Sequence, residues 1–441
     1  MKIAFATLGC KINQYDTAYM KQAVSDAYHN VVPFDSDADV YVINTCTVTG
    51  KSDYQSRQLI RKALRKKGSK VIVTGCYAET KPEELASING VNAIIGNSEK
   101  FNIINYLEVS KASNKPLILT GDNTHDRLST LDYRTSIPVE SFNRTRAFLK
   151  IQDGCESFCS YCIVPYARGK NRSMPLEDVI KHTITLVDKG FKEIVISGIH
   201  LGMYGKDLKN PIDITYLLNK LLSIVGTTRL RLSSIEPAEI TQELIDIIRS
   251  SPNICKHLHI PLQSGDDKIL SEMKRNYTSS YYRELIFSLK DQIPDLSIGT
   301  DVIVGFPGET EENFMNTFNL LSSLPLSYFH VFPYSPRRGT LAAERTDQIN
   351  EALKKLRAKR IRELGDKKNI EFRTEYINKT IDVLVESKID KRSLLYSGLS
   401  HNYIRIHLQT EAKNIGEIIP IVVKQVKRGM TLGMPRNVDS Y

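Results

Sequence analysis

Three of the seven cysteines in this 441-residue chain fall within eight residues: Cys155, Cys159 and Cys162, spaced C-x3-C-x2-C. They follow the apolar run 147–151, which predicts a buried strand. A loop leaving a strand end can wrap three thiolates around one iron–sulfur cluster. Three ligands suit a four-iron cluster with one iron left open for a small molecule. A closed zinc site takes four ligands, and disulfides take thiols in pairs. No fourth Cys or His lies nearby, so the stretch is expected to hold a cluster.

The chain is long enough for two or three domains with a substantial core. A hydrophobic share of 41% and a charged share of 25% fit a soluble globular protein. No apolar run reaches the ~18 residues of a membrane span. The stretch 3–9 is too short for a secretory signal. A cytoplasmic protein is expected, and an odd number of cysteines favours metal or redox chemistry over disulfides. Lys and Arg exceed Asp and Glu by 60 to 50, a net charge of +10 that suits an anionic partner. Residues 57–70 hold seven Lys/Arg and no acid, and 354–368 hold eight against two. Apolar residues recur at helical spacing in both, which predicts two helices with basic outer faces.

Before residue 126, β-branched apolar runs at 2–8, 39–44 and 70–74 alternate with amphipathic stretches at 14–28 and 51–67. That pattern predicts a parallel α/β sheet. Cys10, Cys46 and Cys76 each follow the end of one of these strands. The carboxyl ends of the strands form the ligand crevice of an open α/β sheet. The three cysteines are therefore expected to converge, and their product is a second cluster with an open iron. Residues 123–146 are polar with little periodicity and read as a linker.

Six further strands, at 147–151, 193–197, 229–233, 257–261, 297–304 and 327–333, are each followed by a helical stretch. They predict an open (βα)6 partial barrel with its site at the strand C-termini. Gly198 lies at one such end, where the lack of a side chain admits a close ligand. Residues 305–310, GFPGET, imitate a phosphate-cradling loop, although Pro-Gly turns are common. His200, His259 and Cys255 read as structural residues. Five short strands at 380–386, 396–400, 403–409, 417–423 and 424–432 predict a small closed β-barrel, an architecture often used for oligonucleotides. Tyr396, His401, Tyr403, Arg405, Lys424, Lys427 and Arg428 offer it aromatic faces and cations.

With Tyr161 before its last cysteine, the C-x3-C-x2-C motif resembles the radical S-adenosylmethionine (SAM) enzymes. The longer string QDGCESFCSYCIVPYARG is similar to their methylthiotransferase branch. LGCKINQYDT, INTCTVT and VTGCYAE resemble the three N-terminal motifs of that family. LGCKINQY most resembles the members acting on threonylcarbamoyladenosine in tRNA. Ala18 and Tyr166 depart from the residues expected there, Glu and Trp. Neither departure touches a cluster ligand.

The resemblance implies two [4Fe-4S] clusters, one on Cys155, Cys159 and Cys162 and one on Cys10, Cys46 and Cys76. It implies SAM bound at the first, with contacts from Tyr161, Gly198, Gln263, Arg275 and Asp301. The implied reaction adds a methylthio group to C2 of N6-threonylcarbamoyladenosine beside the anticodon. The implied partners are the tRNA anticodon loop, a sulfur donor and an electron donor, with no DNA and no membrane. The expected fold is α/β, with an N-terminal domain over 1–126, a linker over 127–145, a radical SAM partial barrel over 146–373 and a TRAM-like β-barrel over 374–441. Within the family the alternative substrates are isopentenyladenosine of tRNA and an aspartate of a ribosomal protein. Outside it stands a non-catalytic RNA-binding protein with structural zinc, which three-plus-three ligands disfavour.

Overall fold

A computed structural model describes residues 1–66, 68–108, 115–121, 145–390 and 393–436. The expected linker over 127–145 lies outside the described residues. Within them, the N-terminal sheet has six strands, the central barrel six and the C-terminal barrel five. No helix among them is long and apolar enough to cross a membrane.

The first sheet contains β1 (Lys2–Thr7), β2 (Asn30–Val32), β3 (Val40–Thr45), β4 (Lys70–Gly75), β5 (Ala93–Ile95) and β6 (Leu117–Leu119), in the order β2-β1-β3-β4-β5-β6. Every pairing is parallel. The three expected strands are its centre, and the three short outer strands were too brief to show an apolar run. Alternate residues feed two cores. Tyr41, Ile43, Val71 and Val73 pack with Ile60 and Ala63 of α2 (Gly50–Leu64). Val40, Val42 and Ile72 pack with Met20 and Val24 of α1 (Lys11–Asp26). Helices thus cover both faces, as a parallel sheet requires.

The central strands are β7 (Ala147–Lys150), β8 (Glu193–Ser197), β9 (Arg229–Leu232), β10 (His257–His259), β11 (Ser297–Val304) and β12 (Tyr328–Pro333). They form two three-stranded parallel sheets joined by single bridges at Leu230–Ile254 and Ser234–His259. Leu149, Ile194, Ile196, Leu230, Leu258 and Ile298 belong to the core under the surrounding helices. The alternate residues, Glu193, Arg229, Arg231, His257, His259, Asp301 and His330, therefore face inward. The barrel interior is polar.

The last five strands close a barrel of β13 (Thr380–Ile389), β14 (Tyr396–Ser400), β15 (Arg405–Leu408), β16 (Ile418–Lys427) and β17 (Met430–Pro435). A turn at Arg428 and Gly429 separates β16 from β17, so 424–432 is not one strand but the tip of a hairpin.

Three expectations about charge change. The run 57–70 is not one helix: α2 ends at Leu64, and Lys70 opens β4. The helix Glu351–Thr374 spends much of its charge internally. Arg357 is buried against Glu309 at 2.7 Å, Arg360 pairs with Glu311, and Lys368 donates to the Leu324 carbonyl. The aromatic and basic residues of the C-terminal barrel do not share one free surface. Tyr403 stacks on His257 at 4.0 Å, His401 contacts Asp295, Arg405 pairs with Glu386 and Arg428 with Asp366. Lys424 and Lys427 remain exposed, as do Arg405 and Arg428 in spite of their pairing.

Candidate active site

The cysteine loop leaves β7 through Gln152 and Asp153 and returns through the short helix Val164–Arg168. Phe158 takes a left-handed φ of 42°, which turns the chain between the first two thiols. Among the described residues all the cysteines are free thiols. Cys155 Sγ lies 3.5 Å from His200 Nδ1 and 3.4 Å from Ser157 Oγ. Burial opposes ionisation of Cys155, but its hydrogen bonds with His200 and Ser157 outweigh it and lower the thiol. His200 in turn meets Glu239 at 2.6 Å. Burial disfavours its charge, yet Cys155 and Glu239 push it up to about 10. Arg275 donates to Cys159 Sγ at 3.4 Å and pairs with Glu236. Burial pushes Cys162 up to about 12. Three thiols with cationic donors on two of them suit a cluster whose sulfurs accept hydrogen bonds.

The second trio is brought together by backbone. Gly9, at φ 98°, lies so close to Cys46 that an added Cβ would come within 2.8 Å of the Cys46 Cβ. Gly75, at φ 94°, precedes Cys76, and a Cβ there would strike Asn44 and the Thr45 backbone. Cys10 caps α1, Cys46 follows β3 and Cys76 opens the short helix Cys76–Thr80. Burial, and then the neighbouring Cys76 and Cys10 thiols, push Cys46 up to about 11. A buried thiol raised in this way is poised to lose its proton to a metal rather than to water. Asn97 donates to Cys76 Sγ at 3.8 Å and to the Ala167 carbonyl at 2.6 Å, linking this trio to the first cysteine loop.

A cavity of about 190 Å³ lies between the two loops. Tyr161 and Cys162 line one side, and Val48 and Thr49, just after Cys46, line another. Gln263, Asp301 and Ser335 supply further polar groups. Gln263 has φ 65°; its amide donates to the Asp301 carbonyl at 2.8 Å. Burial opposes ionisation of Asp301, but His259 at 2.9 Å and His330 at 3.2 Å hold its carboxyl well below the usual range.

Of the residues expected around SAM, Tyr161, Gln263 and Asp301 line this cavity, and Arg275 stands beside Cys159. Gly198 differs. The group pressed against it is Gln152, whose Oε1 would lie 2.8 Å from an added Cβ and accepts from the His200 amide. His200 and His259, read from sequence as structural, both sit at the site. The GFPGET loop cradles its own Glu309, which accepts from the Gly305 amide at 2.7 Å, instead of a phosphate. Sequence reasoning missed His330 and the inward-facing charges. The alternation in R-L-R-L and H-L-H was the available signal.

The partial barrel, with three thiols on the loop after its first strand, defines a radical SAM enzyme. Residues 149–321 match the family described as the Radical SAM superfamily, and residues 2–96 match one described as "Uncharacterized protein family UPF0004". The threonylcarbamoyladenosine tRNA methylthiotransferase MtaB of Bacillus subtilis (strain 168) is 41% identical over 100% of this chain and 96% of its own. The protein of the same name from Aquifex aeolicus (strain VF5) is 39% identical over 96% and 100%. The tRNA-2-methylthio-N(6)-dimethylallyladenosine synthase of Fervidobacterium nodosum is 33% identical over 98% of both chains. The radical S-adenosylmethionine methyltransferase TsrM from Kitasatospora setae shares the fold at 14% identity, with a TM-score of 0.55 over 76% of this chain and 74% of its own. The chain belongs to the radical SAM methylthiotransferase family.

Proposed function

We propose that this enzyme adds a methylthio group to C2 of N6-threonylcarbamoyladenosine in tRNA, at position 37 beside the anticodon. It does so with two [4Fe-4S] clusters and two molecules of SAM. One observation carries the reading: the cavity lined by Cys162 of the first trio is also lined by Val48 and Thr49, which closely follow Cys46 of the second. The relatives that are 41% and 39% identical carry this substrate in their names, whereas the dimethylallyladenosine relative is 33% identical.

Cys155, Cys159 and Cys162 would hold one cluster, and Cys10, Cys46 and Cys76 the other. When bound, the clusters and SAM supply hydrogen removal at an unactivated aromatic carbon and a methylated sulfur, neither within reach of side-chain chemistry. The chain orients. His200 and Arg275 direct hydrogen bonds at the thiols of the first trio, Asn97 at the second. Gln263, Asp301 and Tyr161 shape the cavity between them. A base must leave its stack to enter, and a single-stranded anticodon loop makes that inexpensive. Phe158 and Tyr166, exposed and edge to face at 5.8 Å on the first cysteine loop, offer it aromatic faces outside.

The test is nucleoside mass spectrometry of tRNA from a host lacking its own methylthiotransferases, with and without this chain. A new 2-methylthio-threonylcarbamoyladenosine peak, lost in Cys10→Ala and in Cys155→Ala, is expected. A 2-methylthio-isopentenyladenosine peak in its place would overturn the choice of base, and no peak from cluster-loaded protein would overturn tRNA as substrate.

A further inference from the structure

Another cavity, of about 210 Å³, lies at the seam between the partial barrel and the C-terminal barrel. His330 of β12, Asn369 and Arg373 of the helix Glu351–Thr374, and Arg405 of β15 line it. Ser297 and Ser327 add hydroxyl groups, and no Asp or Glu is among its lining residues.

Arg373 is buried, and its hydrogen bonds go to uncharged oxygens. It donates to the Asn369 carbonyl at 3.1 Å, to Thr431 Oγ1 at 2.9 Å and to the Lys427 carbonyl at 3.0 Å. Those bonds use three of the five N–H groups of a guanidinium. Among the described residues Arg373 has no ion pair. Burial disfavours its charge, and the carboxylate that offsets this, Asp366, is itself held by Arg428 at 2.6 Å. The surrounding charges do not balance either. Glu386 is shared by Arg405 and Arg146, and Glu193 by Arg229 and Arg231. Two carboxylates thus serve four arginines, and Arg373 is a fifth with none. His330 meets Asp301 at 3.2 Å, but that carboxylate lines the cavity beside the cysteine loops. A buried guanidinium with spare donors and no counter-charge is costly unless an anion joins it.

We propose that this seam cavity binds a phosphate group of the RNA backbone, with Arg373 and Arg405 as its charged donors. This rests on the tRNA reading above and deepens it. The planar fork of arginine matches the oxygens of a phosphate, and such contacts set the register of a nucleic acid without reading its sequence. One strand joins the two cavities. His330 of β12 lines the seam, while Phe332 and Pro333 line the cavity beside the cysteine loops. Two residues of a strand span about 7 Å. A nucleotide whose base enters the one therefore has its backbone within reach of the other.

The experiment uses the cluster-loaded full chain and a labelled anticodon stem-loop, with binding followed by fluorescence anisotropy. Single loop phosphates are replaced in turn by a neutral methylphosphonate. Wild type is compared with Arg405→Gln, Arg373→Gln and the charge-matched control Lys359→Gln, on the exposed face of the same helix. Glu386 keeps Arg146 when Arg405 is replaced, so that variant strands no carboxylate. One linkage is expected to weaken wild type and Lys359→Gln about tenfold. The same linkage should cost Arg405→Gln and Arg373→Gln less than twofold, because their contact is already gone. Arg373 also ties the C-terminal barrel, so Arg373→Gln counts only with full iron and the wild-type melting temperature; otherwise Arg405→Gln decides alone. Linkages that cost Arg405→Gln as much as wild type overturn the assignment, as does a Lys359→Gln that loses the response equally. Calorimetry with inorganic phosphate separates a second source of the same group. If inorganic phosphate binds wild type but not Arg405→Gln while no linkage couples, the cavity takes a free anion and the RNA assignment falls. Wild type that does not bind the stem-loop fails the tRNA reading and this inference with it, whereas binding without coupling fails this inference only.

Discussion

Lys150 of the first barrel strand donates to Asp16 of the first helix at 2.8 Å, and both side chains are buried. Asp16 also accepts from Lys100 at 2.5 Å, and Arg168 joins Asp153 to Asn13. This ionic joint fixes the N-terminal sheet on the barrel next to both cysteine trios.

Asp16→Asn leaves Lys100 and part of Lys150 as buried cations without their carboxylate. Removing one member of a buried pair costs about 3–5 kcal/mol. A drop of that size in the unfolding free energy, read from the denaturant midpoint and slope, is expected, together with loss of iron from both trios. Unchanged stability would show that the joint is dispensable.

Glu193 sets an acid limit on the attachment of the C-terminal barrel. Burial opposes its ionisation, but Arg231 and Arg229 outweigh this and bring its carboxyl down to about 2, from 4.5 when free. A carboxyl depressed on folding stabilises above its unfolded value and loses that contribution as pH falls toward the folded one. Stability should therefore decline between about pH 4.5 and 2, by about 3 kcal/mol for this group. Denaturation midpoints measured from pH 6 downward test it, and Glu193→Gln should be weaker at neutral pH with a shallower acid slope.

The thiols of cluster-free protein should differ in reactivity, because thiolates are the nucleophiles. At neutral pH iodoacetamide is expected to label Cys155, whose thiol is lowered, before Cys46 and Cys162, pushed up to about 11 and about 12. His200→Ala should slow labelling of Cys155. Peptide mass mapping over time reads the order, and uniform rates would contradict the hydrogen bond to His200.

Tyr166 is 44% exposed at the rim of the cysteine loop. A base stacked on such a ring contributes about 1–3 kcal/mol. Tyr166→Ala should weaken binding of an anticodon stem-loop about tenfold at fixed salt, whereas Tyr166→Phe should not. Equal affinities across the three proteins would remove the stacking role.

Much of this protein was legible in its sequence where the determinants are local. C-x3-C-x2-C places three thiols on one loop whatever surrounds them, and the six barrel strands stood out because each has apolar residues packing under helices. The strand-end position of Cys10, Cys46 and Cys76 pointed to one crevice, since a parallel sheet sets all its carboxyl ends on one edge. Short outer strands such as Ala93–Ile95 escaped notice, because three residues carry no period.

Tertiary structure alone decided where the charges went. The sequence marks Arg357 and Tyr403 as basic and aromatic, but only packing shows them held by Glu309 and His257 rather than open to RNA. A thiol's ligand chemistry is intrinsic to the residue and its spacing, so sequence determines it. A cation's availability depends on which anions lie within a few ångströms, and those come from chain segments up to hundreds of residues away.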